Sequence, residues 1–215
     1  MRFVCISDTH SLHRQIVVPD GDVLIHAGDI TRDSEIDTVY DFSMWLTELP
    51  HRHKVVIPGN HDFCFDVSKD RYDERARPML EHRRPNIHFL LDSVTEIEGL
   101  RFYGSPWVSN LSGWAFYDRN RNMFENAPTD SHVLVTHAPP WLVRDREEHR
   151  GERCGSRFVG MHVARCARLR LHVFGHVHEA AGVDWPSDDG HVIVNACSLN
   201  RRYEPVNAPI IVDIK

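Results

Sequence analysis

An α/β fold is predicted by two features of the order of residues. Short apolar, β-branched runs alternate with helix-period segments through the first half, and strand-like runs crowd the second. A third feature attaches chemistry to that order. Five polar clusters, Asp8-Thr9-His10, Gly28-Asp29, Gly59-Asn60-His61-Asp62, Thr136-His137 and Gly175-His176-Val177-His178, each stand where an apolar run ends, which is where α/β folds place their sites.

The elements are taken in chain order. Residues 2–7, 23–27 and 54–57 are expected as strands buried on both faces. Between the second and third, residues 35–49 carry Ile36, Val39, Phe42, Trp45, Leu46 and Leu49 at helical spacing; Ser34 is the expected N-cap and Pro50 the stop. Residues 68–83 predict a highly charged second helix closing before Pro85. Residues 87–91 and 94–97 read as strands, and Glu98-Gly99 turns the chain into a hairpin with 100–103. Trp107, Trp114, Phe116 and Tyr117 lie among Gly, Ser, Pro and Asn with no regular period, as a pocket wall or as packed loop. Residues 133–135 form a strand ending at His137, and Pro139-Pro140 prevents its continuation. Val159, His162, Val163, Cys166 and Leu169 recur at helical spacing, before strands at 171–174, 191–195 and 209–214.

Composition bounds the possibilities. A chain of 215 residues is expected as one domain, 1–215, able to bury a core without disulfide staples. No apolar stretch approaches the roughly 18 to 20 residues that a membrane span needs, and Asp8 and His10 interrupt the start before a signal-peptide core can form. The five cysteines are an odd set with no C-x-x-C pair, which points away from a disulfide framework or a cysteine zinc site and toward a reducing, cytoplasmic location. A net charge of −6 ranks nucleic-acid polymers well below small anionic substrates. The Arg-rich stretches at 71–84 and 144–170 carry acidic residues among them and read as solvated faces.

Asp8 and His10 lie two apart at a strand end, so in an extended conformation their side chains share one side; His176 and His178 repeat that spacing. Gly28-Asp29 alone is ordinary turn chemistry, whereas Asn60 is an unusual ligand followed directly by His61. Oxygen and imidazole donors without thiolates suit Mn, Fe, Zn or Co. The set as a whole therefore predicts metal-assisted hydrolysis.

In family order, the blocks D-x-H, G-D, G-N-H-[DE], a lone His and G-H-x-H make the sequence resemble the calcineurin-like metallophosphoesterases. Four longer strings are similar to the metallophosphoesterase-domain-containing branch and related class III cyclic-nucleotide phosphodiesterases. They are Ile25-His26-Ala27-Gly28-Asp29, Tyr103-Gly104-Ser105-Pro106-Trp107, Leu171-His172-Val173-Phe174-Gly175-His176-Val177-His178-Glu179 and Asn207-Ala208-Pro209-Ile210-Ile211. The resemblance implies a four-layer αββα sandwich of two mixed sheets flanked by helices. It also implies two metal ions, divalent or mixed-valence: Asp8, His10 and His178 would hold one, Asn60, His137 and His176 the other, and Asp29 would bridge them. Two such ions, about 3.5 to 4 Å apart, share and acidify a water for in-line attack on phosphorus. His61 would stabilise the developing charge or protonate the leaving oxygen. Asp62 would orient His61 or only cap the helix or loop after it.

The protein phosphatases of the superfamily extend their second block to G-D-x-x-D-R-G. Here it runs Gly28-Asp29-Ile30-Thr31-Arg32-Asp33, which favours a small phosphodiester such as a cyclic nucleotide and leaves open which carboxylate, if any, buttresses His61. A phosphomonoesterase, a nuclease or a non-catalytic scaffold are the alternatives. Cys154-Gly155 stands where relatives tend to show Gly-Cys, so the substrate-side loop 144–157 is expected to differ. Of the remaining histidines, His51, His53, His82, His149 and His191 are expected at the surface without a role, while His13, three residues past His10, is placed to reach the pocket mouth.

Overall fold

Strands β1 (Arg2–Ile6), β2 (Val23–Ala27), β3 (His53–Ile57) and β4 (Ile87–Phe89) pair in parallel, and β11 (Ile210–Asp213) closes the far edge antiparallel to β1, giving the order β11-β1-β2-β3-β4. The second sheet has the order β5-β6-β7-β8-β10-β9. Its centre, β6 (Leu100–Ser105), β7 (Val133–Thr136), β8 (Leu171–Phe174) and β10 (Val192–Asn195), is parallel, and its edges, β5 (Ser93–Ile97) and β9 (Gly182–Asp184), are antiparallel. The computed structural model describes residues 1–81, 86–118, 124–149, 151–185 and 190–214.

Strand alternation explains the layering. Phe3 and Cys5 of β1, Val23 and Ile25 of β2 and Val55 and Ile57 of β3 meet Phe102, Val133, Val135, Leu171 and Val173 in the core between the sheets. The opposite faces of the same strands, through Val4, Ile6, Leu24 and Val56, pack on Val39, Phe42, Trp45 and Leu46 of α1 (Ile36–Glu48) and on Leu80 of α2 (Ala76–Glu81). Beyond the second sheet, Tyr103 and Leu134 receive Val159 of α3 (Arg157–Val163) together with Cys166 and Leu169. The layers are thus helix, sheet, sheet, helix, as the α/β reading and the resemblance imply. Strands buried on both faces are as expected, because each sheet is covered twice.

Local chemistry corrects several bounds. Ser34 does not cap α1: the N-cap is Glu35 with no side-chain bond, and Ser34 instead donates its hydroxyl to the carbonyl of His61 at 2.7 Å. Among the described residues, the charged helix expected at 68–83 covers only Ala76–Glu81. Asp66 captures the N–H and hydroxyl of Ser68, and Asp73 captures the N–H of Arg75, so turns displace helix over 68–75. Residues 82–85, His82 and Pro85 among them, lie outside the described residues, as does position 150 in loop 144–157. The third helix stops at Val163 and a looser turn carries the spacing on to Leu169. The hairpin is as expected, with Glu98 (φ 48°) and Gly99 (φ 80°) both left-handed. Edge strand β9 was unforeseen; at three residues it offers too short a pattern to read.

Candidate metal centre

The loops leaving β1, β2, β3, β7 and β8 converge on one edge of the two sheets and bring all eight predicted residues together. The backbone that does this is not extended. Asp8 (φ 52°), His10 (φ 40°), Asp29 (φ 54°) and His176 (φ 71°) are left-handed, so the shared direction of Asp8 and His10 comes from a sharp turn and not from strand alternation. Close approach is built in by glycine. Gly28 (φ 101°) lies where a Cβ would come within 2.5 Å of His137 Nδ1, and a Cβ on Gly175 would collide with Asp8 Oδ2.

Asp8, Asp29, Asn60 and His137 are buried, and His10 is 2% exposed. One set of donors gathers at His10 Nε2, 3.2 Å from His178 Nε2, with His178 Nε2 3.4 Å from Asp8 Oδ1. A second gathers at Asn60 Oδ1, 2.9 Å from both His137 Nε2 and His176 Nδ1. Asp29 stands between them, with Oδ2 3.7 Å from His10 Nε2 and Oδ1 3.4 Å from His137 Nε2. Three overlapping groups result: Asp8-His10-His178, His10-Asp29-His61 and Asp8-Asp29-His137. In each, one donor atom per residue lies within 4.8 Å of the others.

Charge balance fits a cation. Burial alone would raise Asp8, yet its hydrogen bond to His178 and the nearby charge of His137 hold it well below the usual carboxylate range. Burial likewise opposes ionisation of Asp29, and His137 and His61 overcome it. Burial disfavours a charged His137, but Asp29 raises it to about 9, so this imidazole holds a proton that a bound cation would displace. His10 and His176 remain neutral, pushed down by burial to about 4 and about 3, and so keep lone pairs to offer. The donor chemistry and the buried negative charge both fit metal ions of the kind the resemblance implies.

Comparison with known proteins places this arrangement. The chain matches the family model described as Calcineurin-like phosphoesterase over residues 1–180. The chain belongs to the calcineurin-like phosphoesterases. The chain is 37% identical over 235 residues to Metallophosphoesterase domain-containing protein 1 of Homo sapiens and of Mus musculus, covering 99% of this chain and 71% of the relative. A UPF0046 protein of Caenorhabditis elegans is 36% identical over 222 residues, covering 98% and 74%. Members of the family are usually metal-dependent hydrolases, and the buried His/Asp cluster of this chain could hold a metal ion.

Other site residues divide differently from expectation. His61 donates through Nδ1 to the carbonyl of Arg32 at 2.8 Å, so a backbone carbonyl and not a carboxylate buttresses it. Asp62 does not touch the His61 ring. It accepts from the N–H groups of Ile30, Thr31 and Gly59 and from the Thr31 hydroxyl, lacing the β2 loop to the β3 loop, and burial with Asp29 nearby pushes it up to about 6. His13 turns away from the pocket: it is 1% exposed, meets Asp41 at 2.9 Å and packs on Phe42 and Trp45. His51 is buried rather than at the surface, and His149 lines the recess, 3.2 Å from Glu179.

The aromatic stretch serves both expected purposes. Its Asn110 and Leu111 line the recess and Trp114 rests 4.4 Å from the His61 ring, while Phe116 enters the core. Loop 144–157 brings Glu147 and His149 to the rim, and Glu147 receives the thiol of Cys154 at 3.5 Å. Sequence reasoning missed Arg201, Tyr203, Cys197 and the buried pair Thr9 and His26, 3.0 Å apart. The sequence held no motif signal for the first three, and His26 showed only inside a longer string.

Proposed function

We propose that the protein is a dinuclear metal-dependent phosphodiesterase acting on a small phosphodiester, with a cyclic nucleotide as one candidate. The observation that carries the reading is the position of Asp29, one carboxylate oxygen toward His10 and the other toward His137, between two donor sets. Asp8, His10 and His178 would hold one ion, and Asn60, His137 and His176 the other. Bound there, ions such as Mn, Fe, Zn or Co would neutralise phosphate charge and acidify water.

The protein's own contribution is orientation and proton handling. The Asp29 carboxylate accepts the backbone N–H of His61 at 2.8 Å and the Arg32 carbonyl accepts from Nδ1, so the ring is fixed and Nε2 is the atom left to face a leaving oxygen. Trp114 and His10 pack on that ring and limit its motion. A small substrate is supported by the absent D-R-G extension, by the net charge of −6 and by a recess whose rim mixes Glu147, Glu179 and Arg201 in place of a basic track. Among the described residues no helix is long and apolar enough to cross a membrane, and the five cysteines, all buried and unpaired, support a reducing cytoplasmic setting.

The test is hydrolysis of bis(p-nitrophenyl) phosphate against p-nitrophenyl phosphate with added Mn²⁺, alongside Asn60→Ala and His61→Ala. Mn²⁺-stimulated turnover favouring the diester, lost in both variants, is the expected result. Preference for the monoester would make it a phosphomonoesterase. Bound metal without turnover of either ester would make it a scaffold.

A further inference from the structure

Strand β10 ends at the same edge of the sheets but supplies none of the eight residues above. Its terminal segment is nevertheless laced to two loops that do. Asn195 accepts the N–H of Cys197 at 3.1 Å and donates its amide to the carbonyl of Val177, between His176 and His178, at 3.0 Å. The N–H of Ser198 reaches the carbonyl of Ser7, beside Asp8, at 2.8 Å, and Cys197 bridges to Ser7 in parallel. Cys197 is only 2% exposed, and its thiol donates to Asp8 Oδ2 at 3.2 Å. The other oxygen of that carboxylate, Oδ1, is the one 3.4 Å from His178 Nε2. Among the described residues Cys197 belongs to none of the donor groups that converge around the cluster, and its thiol meets them at Asp8.

We propose that Cys197 is a positioning residue of the metal centre, its thiol holding Oδ2 of Asp8 so that Oδ1 stays turned toward His178 and a bound ion. The inference rests on the metal-binding reading given above. A thiol suits the place because it is a weak donor on a long C–S bond. It orients the carboxylate without withdrawing as much of its basicity as a charged donor would. The N–H of His176 reaches both oxygens of Asp8, at 3.1 Å from Oδ1 and 3.0 Å from Oδ2, and so does not distinguish them, whereas the thiol touches Oδ2; residues that hold ligands from behind typically change metal affinity by about 10- to 100-fold.

Calorimetric titration of Mn²⁺ into the full chain and its variants tests the proposal, with thermal melts of the metal-free forms beside it. Cys197→Ala is expected to bind Mn²⁺ at least about 10-fold more weakly. Cys197→Ser, which restores a donor, is expected to recover much of that loss. Cys5→Ala, which empties part of the core between the sheets without touching a ligand, should lower the melting temperature and leave affinity unchanged. If Cys197→Ala does not fold, Cys197→Val, of similar volume but without a donor, is expected to show the same weakening. Wild-type affinity in Cys197→Ala or Cys197→Val, or failure of serine to recover any of the loss, overturns the proposal. A wild-type chain that binds no Mn²⁺ overturns the metal reading itself, so the two failures are told apart.

Discussion

Four hydrogen bonds converge on Asp62 and tie the loop that carries Asp29 to the loop that carries Asn60. Asp62→Ala strands three buried N–H donors at Ile30, Thr31 and Gly59, each worth about 1 to 3 kcal/mol when unsatisfied. A loss of at least about 3 kcal/mol in urea unfolding is expected on that basis, along with weaker Mn²⁺ binding as the loops bearing Asp29 and Asn60 part. His61→Ala should behave in the opposite way. It keeps the fold and metal content, measured by elemental analysis, while kcat on the diester falls about 10²- to 10⁴-fold. His162 links burial to pH. It is 1% exposed and stacks on Phe124, and burial pushes it from 6.5 down to about 4. The folded state therefore refuses a proton that the unfolded chain accepts. Stability from this group is complete above pH 6.5 and is lost progressively as pH falls toward about 4. His162→Phe should make unfolding free energy less steep over that window by up to one proton, with little change above it.

At the scale of elements, short loops at the carboxyl ends of parallel strands carry the chemistry and helices only cover the sheets. Ser156 accepts the N–H of Val159 at 3.4 Å and caps α3, the helix behind β6 and β7. Ser156→Ala should cost about 0.5 to 2 kcal/mol by thermal melt with little effect on metal affinity, because α3 lies away from the donor cluster. The β2 loop has the contrary dependence. Its glycine sits at φ 101° against His137, so Gly28→Ala adds both backbone strain and a clash with a donor. Mn²⁺ affinity should fall more than stability does, as calorimetry and melting on the same preparation would reveal. The shortened α2 and the uncapped start of α1 obey one rule: Asp66, Asp73 and Ser34 bond to turn or loop backbone in preference to helix ends.

For the whole molecule, two buried carboxylates at the junction of two sheets would make metal binding, as proposed, a matter of stability as well as activity. Mn²⁺ at 100 times its dissociation constant should stabilise the fold by about 2.7 kcal/mol, a rise in melting temperature that EDTA reverses. Elements and candidate donors were legible in the sequence because both are local. A buried strand announces itself by a short β-branched run, and Asp8, His10, Asp29, Asn60, His61, His137, His176 and His178 sit in compact blocks at the ends of such runs. The groups that face those residues were not local. The Arg32 carbonyl behind His61, the turn of His13 away from the pocket and the Cys197 thiol on Asp8, 189 positions along the chain, depend on loop backbone and on which strands become neighbours. The sequence alone determined the α/β class and the candidate donors, since residue type and period suffice for both. Only the tertiary structure decided how those donors are oriented, because orientation is set by hydrogen bonds between segments that meet only after both sheets have formed.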